Sequence, residues 1–137
     1  MKAVYAWAAV AIGFLCGCDT INERHFCVAG GDSAVQTRQR VGVVLATVAT
    51  RVHLTEMTAR SKAPDTVAFY TLAFERPAPE DFFRVSLGAR GVGNDIAVDL
   101  QSPFGPAPRE FEAAEALLAS ELDQSFGASA RNGRCTQ

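Results

Sequence analysis

Between residues 66 and 101 the hydrophobic period of this chain is two, three times in succession, and on either side it is that of a helix. A period of two places alternate side chains on opposite faces of a strand, so a segment patterned this way cannot bury one face as a helix. Residues 66–75 alternate Ala68, Tyr70, Leu72 and Phe74 against Val67, Phe69, Thr71 and Ala73, which reads as a strand covered on one or both faces. Residues 82–89 set Phe83, Val85 and Leu87 against Arg84 and Ser86, and residues 95–101 set Ile96, Val98 and Leu100 against Asp95, Asp99 and Gln101. Pro77 and Pro79 break the first run from the second, and the glycine-rich residues 88–95 read as the turn between the second and third. Three consecutive strands joined this way predict an antiparallel meander.

Helical signals flank it. Ser33 and Gln36 have the S-x-x-Q form of a capping box, and Val41, Val44, Leu45, Val48 and Val52 follow at helical spacing. Together they predict a helix over residues 33–51. The β-branched Val41, Val43, Thr47, Val48 and Thr50, and Gly42, oppose it, so a strand over the same residues stays open as the alternative. Residues 109–126 carry Phe111, Ala114, Leu118, Leu122 and Phe126 on one face, with Glu110, Glu112 and Glu115 in the early turns and Gly127 as the C-cap. The expected fold is α+β: helix, three-stranded antiparallel meander, helix, with both helices packed on one sheet face. No internal repeat or low-complexity tract interrupts it.

The N-terminus is of another kind. Lys2 precedes an apolar run over residues 3–15, and the segment closes on Leu15-Cys16-Gly17-Cys18. These residues resemble the signal peptide and lipobox of bacterial lipoproteins, in which the Cys is acylated and becomes the new N-terminus. An uncleaved transmembrane helix would need roughly 20 apolar residues and flanking basic residues to stop transfer. A soluble secreted product would need an A-x-A-like site. The resemblance implies a signal peptide over residues 1–17, lipidation at Cys18, a tether over residues 18–32 and a small domain over residues 33–137. It also implies a membrane-attached protein of the cell envelope facing the periplasm. Asp19 is similar to the inner-membrane retention signal of enteric lipoproteins; inner against outer membrane stays open. The resemblance covers the first 19 positions and no family is recognised for the rest.

Under that implied processing Cys16 leaves with the signal and Cys18 is consumed by lipid. Cys27 and Cys135 remain, and an even pair in an oxidising compartment reads as a disulfide. A metal site is the weaker alternative, because the two histidines, His25 and His53, and the two cysteines lack any close ligand spacing. Without Lys2 the chain carries 12 basic against 15 acidic residues, a balance that argues against nucleic acid and against a polybasic contact with anionic lipid.

Catalytic signals are sparse. His53 and Glu56 stand one helical turn apart, which reads first as a solvated surface pair, and His25 falls in the expected tether. No G-x-S-x-G, S-x-x-K or H-E-x-x-H occurs. Residues 88–95 lack the G-x-G-x-x-G pattern and join strands, though Arg90 stands exposed there for a partner. Phe69, Tyr70, Phe74, Phe82 and Phe83 read as core; Tyr70 or Phe82, if exposed beside the proline loop, would mark a partner surface. The expectation is a membrane-anchored envelope lipoprotein acting as a non-enzymatic interaction or accessory module, held by lipid on Cys18 and meeting an envelope protein. No cofactor, metal, catalytic residue or nucleic-acid partner is assigned. The alternative is a binder of a small hydrophobic or envelope-derived ligand between sheet and helices.

Overall fold

A computed structural model describes residues 21–76, 82–103 and 105–136. It shows one antiparallel sheet, with β1 (Asn22–Val28), β2 (Thr55–Glu56), β3 (Thr66–Leu72), β4 (Val85–Val92), β5 (Asp95–Ser102) and β6 (Ala130–Asn132) in the order β2-β3-β4-β5-β1-β6. Helices α1 (Ala34–Arg51) and α2 (Arg109–Phe126) pack on each other and on the sheet. The expected three-stranded meander is therefore corrected to a six-stranded sheet of which the meander β3-β4-β5 is the centre. The class remains α+β.

The correction originates in the expected tether. Residues 22–28 pair with β5 along their whole length, from Asn22 opposite Ser102 to Val28 opposite Ile96. β6, in the expected tail, then pairs with Phe26, Cys27 and Val28. The alternation that should announce β1 is short, because only Phe26 and Val28 bury apolar side chains toward the helices. Cys27 between them is buried on the opposite face, where it meets Cys135. Charged Glu23, Arg24 and His25 fill the rest of the strand. The expected signal peptide over residues 1–17, the expected lipidation site Cys18, and Asp19, Pro77 and Pro79 lie outside the described residues.

α1 forms despite its β-branched residues because its buried stripe of Val41, Val44, Leu45 and Val48 has a sheet to cover. Its cap is as the sequence predicts: Ser33 Oγ accepts from Gln36 N at 3.3 Å. α2 has the expected bounds, with Phe111, Ala114, Leu118 and Leu122 buried and Gly127 closing it at φ 55°. Between helices and sheet, Leu45, Leu87, Ile96, Leu100, Leu118 and Leu122 are fully buried. These side chains form the core layer between sheet and helices.

Strand boundaries differ from expectation at the end of β3, which stops at Leu72 and not at residue 75, and at both ends of β4. The turn expected over residues 88–95 contracts to Gly93 and Asn94, with Gly93 at φ 62°, and residues 88–92 belong to β4. β4 also begins at Val85 and not at residue 82, so Phe83 escapes the alternation and meets Phe69 edge-on at 6.1 Å. Gly30 turns the chain from β1 toward α1 so close to the β4–β5 turn that a Cβ there would collide with the Asn94 carbonyl. Among the described residues no helix is long and apolar enough to cross a membrane.

Candidate binding groove on the open sheet face

Both helices lie on one side of the sheet, and among the described residues nothing covers the other side over β3, β4 and β5. The strand registers fix what this open face shows. Phe69, Gly88 and Asp99 form one cross-strand row, and Ser86 and Gln101 belong to the next. The middle row has a hole in it, because Gly88 contributes no side chain between Phe69 and Asp99. A Cβ on Gly88 would press to 3.2 Å from the Phe69 ring. Small residues along β4 thus make the sheet surface concave.

The chain after β2 supplies a wall. Met57 N donates to Phe69 O at 2.7 Å, Phe69 N donates to Thr58 Oγ1 at 3.1 Å, and Ser61 Oγ lies 2.9 Å from Thr66 Oγ1. These bonds carry residues 57–63 along the edge of β3, with Met57 level with Phe69 and residues 60–63 level with Thr66. The Phe83 ring stands on the other end of Phe69. The result is a groove of about 740 Å³. Its apolar surface comes from Met57, Phe69 and Phe83, and three cations, Arg60, Lys62 and Arg90, line it.

Beside the groove, β1 and β5 hold a chain of charges. His25 Nδ1 lies 2.6 Å from Asp99 Oδ1, and its Nε2 lies 3.2 Å from Glu23 Oε2. Arg134 reaches the same Glu23 oxygen at 3.5 Å. The hydrogen bond to Asp99 holds the His25 pKa above its ordinary 6.5, against the effect of burial, and Glu23 adds to the rise. Both ring nitrogens face carboxylates, so the imidazolium bridges two acids. A general base needs one nitrogen turned to a substrate or nucleophile, and here neither is. The sequence could not show this, because His25 falls in residues read as tether. The polar alternation of Asp95, Asp99 and Gln101 was visible, however, and it does mark the open face.

The other singled-out residues scatter. Cys27 and Cys135 come to disulfide distance, with Cα atoms 5.0 Å apart, and hold the end of the chain against β1. Asp95 offers a carboxylate within 4.8 Å of both sulfurs, but sulfurs joined to each other present no thiolate to a metal. His53 follows α1 at φ 60° and Glu56 lies in β2; both are exposed and neither lines the groove. Tyr70 is half-buried against the core, and burial with the Glu56 charge nearby pushes its hydroxyl above 10.0. Phe82 is exposed. Arg90 is exposed as expected, on a strand and not on a turn. The chain matches no protein-family model, no curated protein and no solved structure.

Proposed function

We propose that this chain is a lipid-anchored envelope protein that acts by binding, without chemistry of its own, through the groove over β3, β4 and β5. The observation that carries the reading is the groove itself: a concave floor on the one sheet face the helices leave open, walled by residues 57–63 and by Phe83. Its volume falls within the roughly 300–1,000 Å³ of small-molecule sites. That favours a small hydrophobic or envelope-derived ligand over a protein partner as its occupant. The bridged His25 supports binding over catalysis, because its two ring nitrogens are turned to Asp99 and Glu23. The lipobox resemblance supplies the location: acylation of Cys18 would hold β1, four residues further on, close to the membrane surface.

The test uses the full chain, exported from a bacterial host and purified in detergent. Native mass spectrometry is expected to find a co-purifying small molecule that disappears in Ser86→Trp, a variant that fills the groove from β4. Cys18→Ala is expected to lose both the acyl mass and the membrane fraction. A stoichiometric envelope protein crosslinked through the groove, with no small molecule, would replace the ligand reading with the accessory one.

A further inference from the structure

The groove gathers its cations at one end, and this placement follows from the registers. Arg90 pairs with Thr66 on β3 and with Ala97 on β5, one row beyond Gly88 toward the β4–β5 turn. The wall residues level with Thr66 include Arg60 and Lys62, because Ser61 and Ala63 are the ones bonded to Thr66. Three cations therefore line the Thr66 end, while Met57, Phe69 and Phe83 line the rest together with the polar Ser86, Asp99 and Gln101. None of the three has an ion-pair partner among the described residues, a state they share with Arg24, Arg40, Arg76, Arg109 and Arg131. The carboxylate that lines the groove, Asp99, is turned to His25 at 2.6 Å. Three unpaired cations around one concavity, in a chain whose net charge is negative, leave a local charge that a ligand can neutralise.

We infer that the groove binds a single-chain anionic amphiphile, its alkyl chain against Met57, Phe69 and Phe83 and its carboxylate or phosphate head on Arg60, Lys62 and Arg90. Fatty acids and lysophospholipids released from the membrane have this chemistry. Arginine suits either head group, since its planar fork meets two oxygens of one anion at once. An uncharged hydrocarbon would leave the cations unused, and a bare anion would leave the aromatic rings wet. This inference rests on the groove reading above.

The deciding experiment is calorimetric titration of the full lipidated chain in phosphatidylcholine nanodiscs, with empty nanodiscs as the blank. The probes are octyl phosphate, octanoate, octyl glucoside, octyltrimethylammonium and inorganic phosphate. Octyl phosphate and octanoate are expected to bind about tenfold or more tighter than octyl glucoside, the scale of a lost charge-assisted hydrogen bond. The triple variant Arg60→Ala, Lys62→Ala, Arg90→Ala changes exposed side chains and is expected to erase that margin, bringing octyl phosphate and octanoate to the affinity of octyl glucoside. Equal affinity for every octyl probe would overturn the charge inference and leave the groove reading standing. Full competition by inorganic phosphate would also overturn it, in favour of a bare anion site. Absence of binding by any octyl probe, in the wild type as in Ser86→Trp, would remove both.

Discussion

At the scale of single residues, the His25 imidazolium couples the stability of the sheet to pH. Its pKa lies above 6.5 in the folded state, chiefly because of the bond to Asp99. A raised folded pKa means that the folded chain holds its proton where the unfolded chain has begun to lose it. The stabilisation is complete below about pH 6.5 and declines as the pH rises through the folded value. The groups facing His25 are Asp99, Glu23 and, through Glu23, Arg134. Urea midpoints of the wild type and of His25→Gln, compared from about pH 6 to about pH 9, are expected to converge as the pH rises. Asp99→Asn should cost about 1 kcal/mol at the acid end of that range and much less at the alkaline end. A difference that stays constant, or widens with pH, would show that the imidazole is neutral in the folded protein.

At the scale of elements, α1 is a helix held by its context. Its cap and its buried valine stripe support it, while Gly42 and its threonines do not. A Cβ on Gly42 would meet nothing within 4 Å, so Gly42→Ala should stabilise the protein by roughly 0.5–1 kcal/mol. Ser33→Ala, which removes the acceptor for Gln36 N, should cost about 1 kcal/mol. Thermal unfolding of the two variants measures both, and opposite signs are the expected result. The same balance explains what the sequence could reveal. α2 was legible to the residue because stripe, acidic first turn and Gly127 agree, and the meander was legible because each strand repeats its alternation several times. β1 was not, because a strand whose open face carries Glu23, His25 and a cystine half looks polar and aperiodic along the chain. With β1 hidden, the pairing of His25 with Asp99 was hidden too, since it depends on a strand register 74 residues apart in sequence. The groove was half visible: Gly88, Arg90, Asp99 and Gln101 stand out in sequence. Phe83 precedes β4, so an alternation counted from residue 82 puts it with Val85 and Leu87 and not on the groove.

At the scale of the whole molecule, the seam between β1 and the chain end closes the fold. Cys27 lies one strand in from the sheet edge and is fully buried, and Cys135 follows the edge strand β6. Their bond would enclose a loop spanning 108 residues and containing both helices and the meander. In the chain-entropy picture a loop of that size is worth roughly 4–5 kcal/mol, nearly all of it as restriction of the unfolded chain. The seam also has local contacts: Gly133 N donates to His25 O at 2.9 Å, and Arg134 pairs with Glu23 at 3.5 Å. These two contributions make different predictions for the reduced protein. If the bond acts through the unfolded chain, reduction should lower the urea midpoint by an amount approaching the entropic figure, while amide exchange in β3, β4 and β5 stays native-like under folding conditions. If it acts by pinning the edge, only β6 and residues 133–136 should lose protection, and the global midpoint should hardly move. The short pairing of β6, confined to Phe26, Cys27 and Val28, gives the edge little hold of its own. The expected result therefore combines both: early loss of protection at β6, and a global destabilisation of several kcal/mol. A reduced chain with an unchanged midpoint would mean that its unfolded state is already compact enough for the cross-link to restrict little.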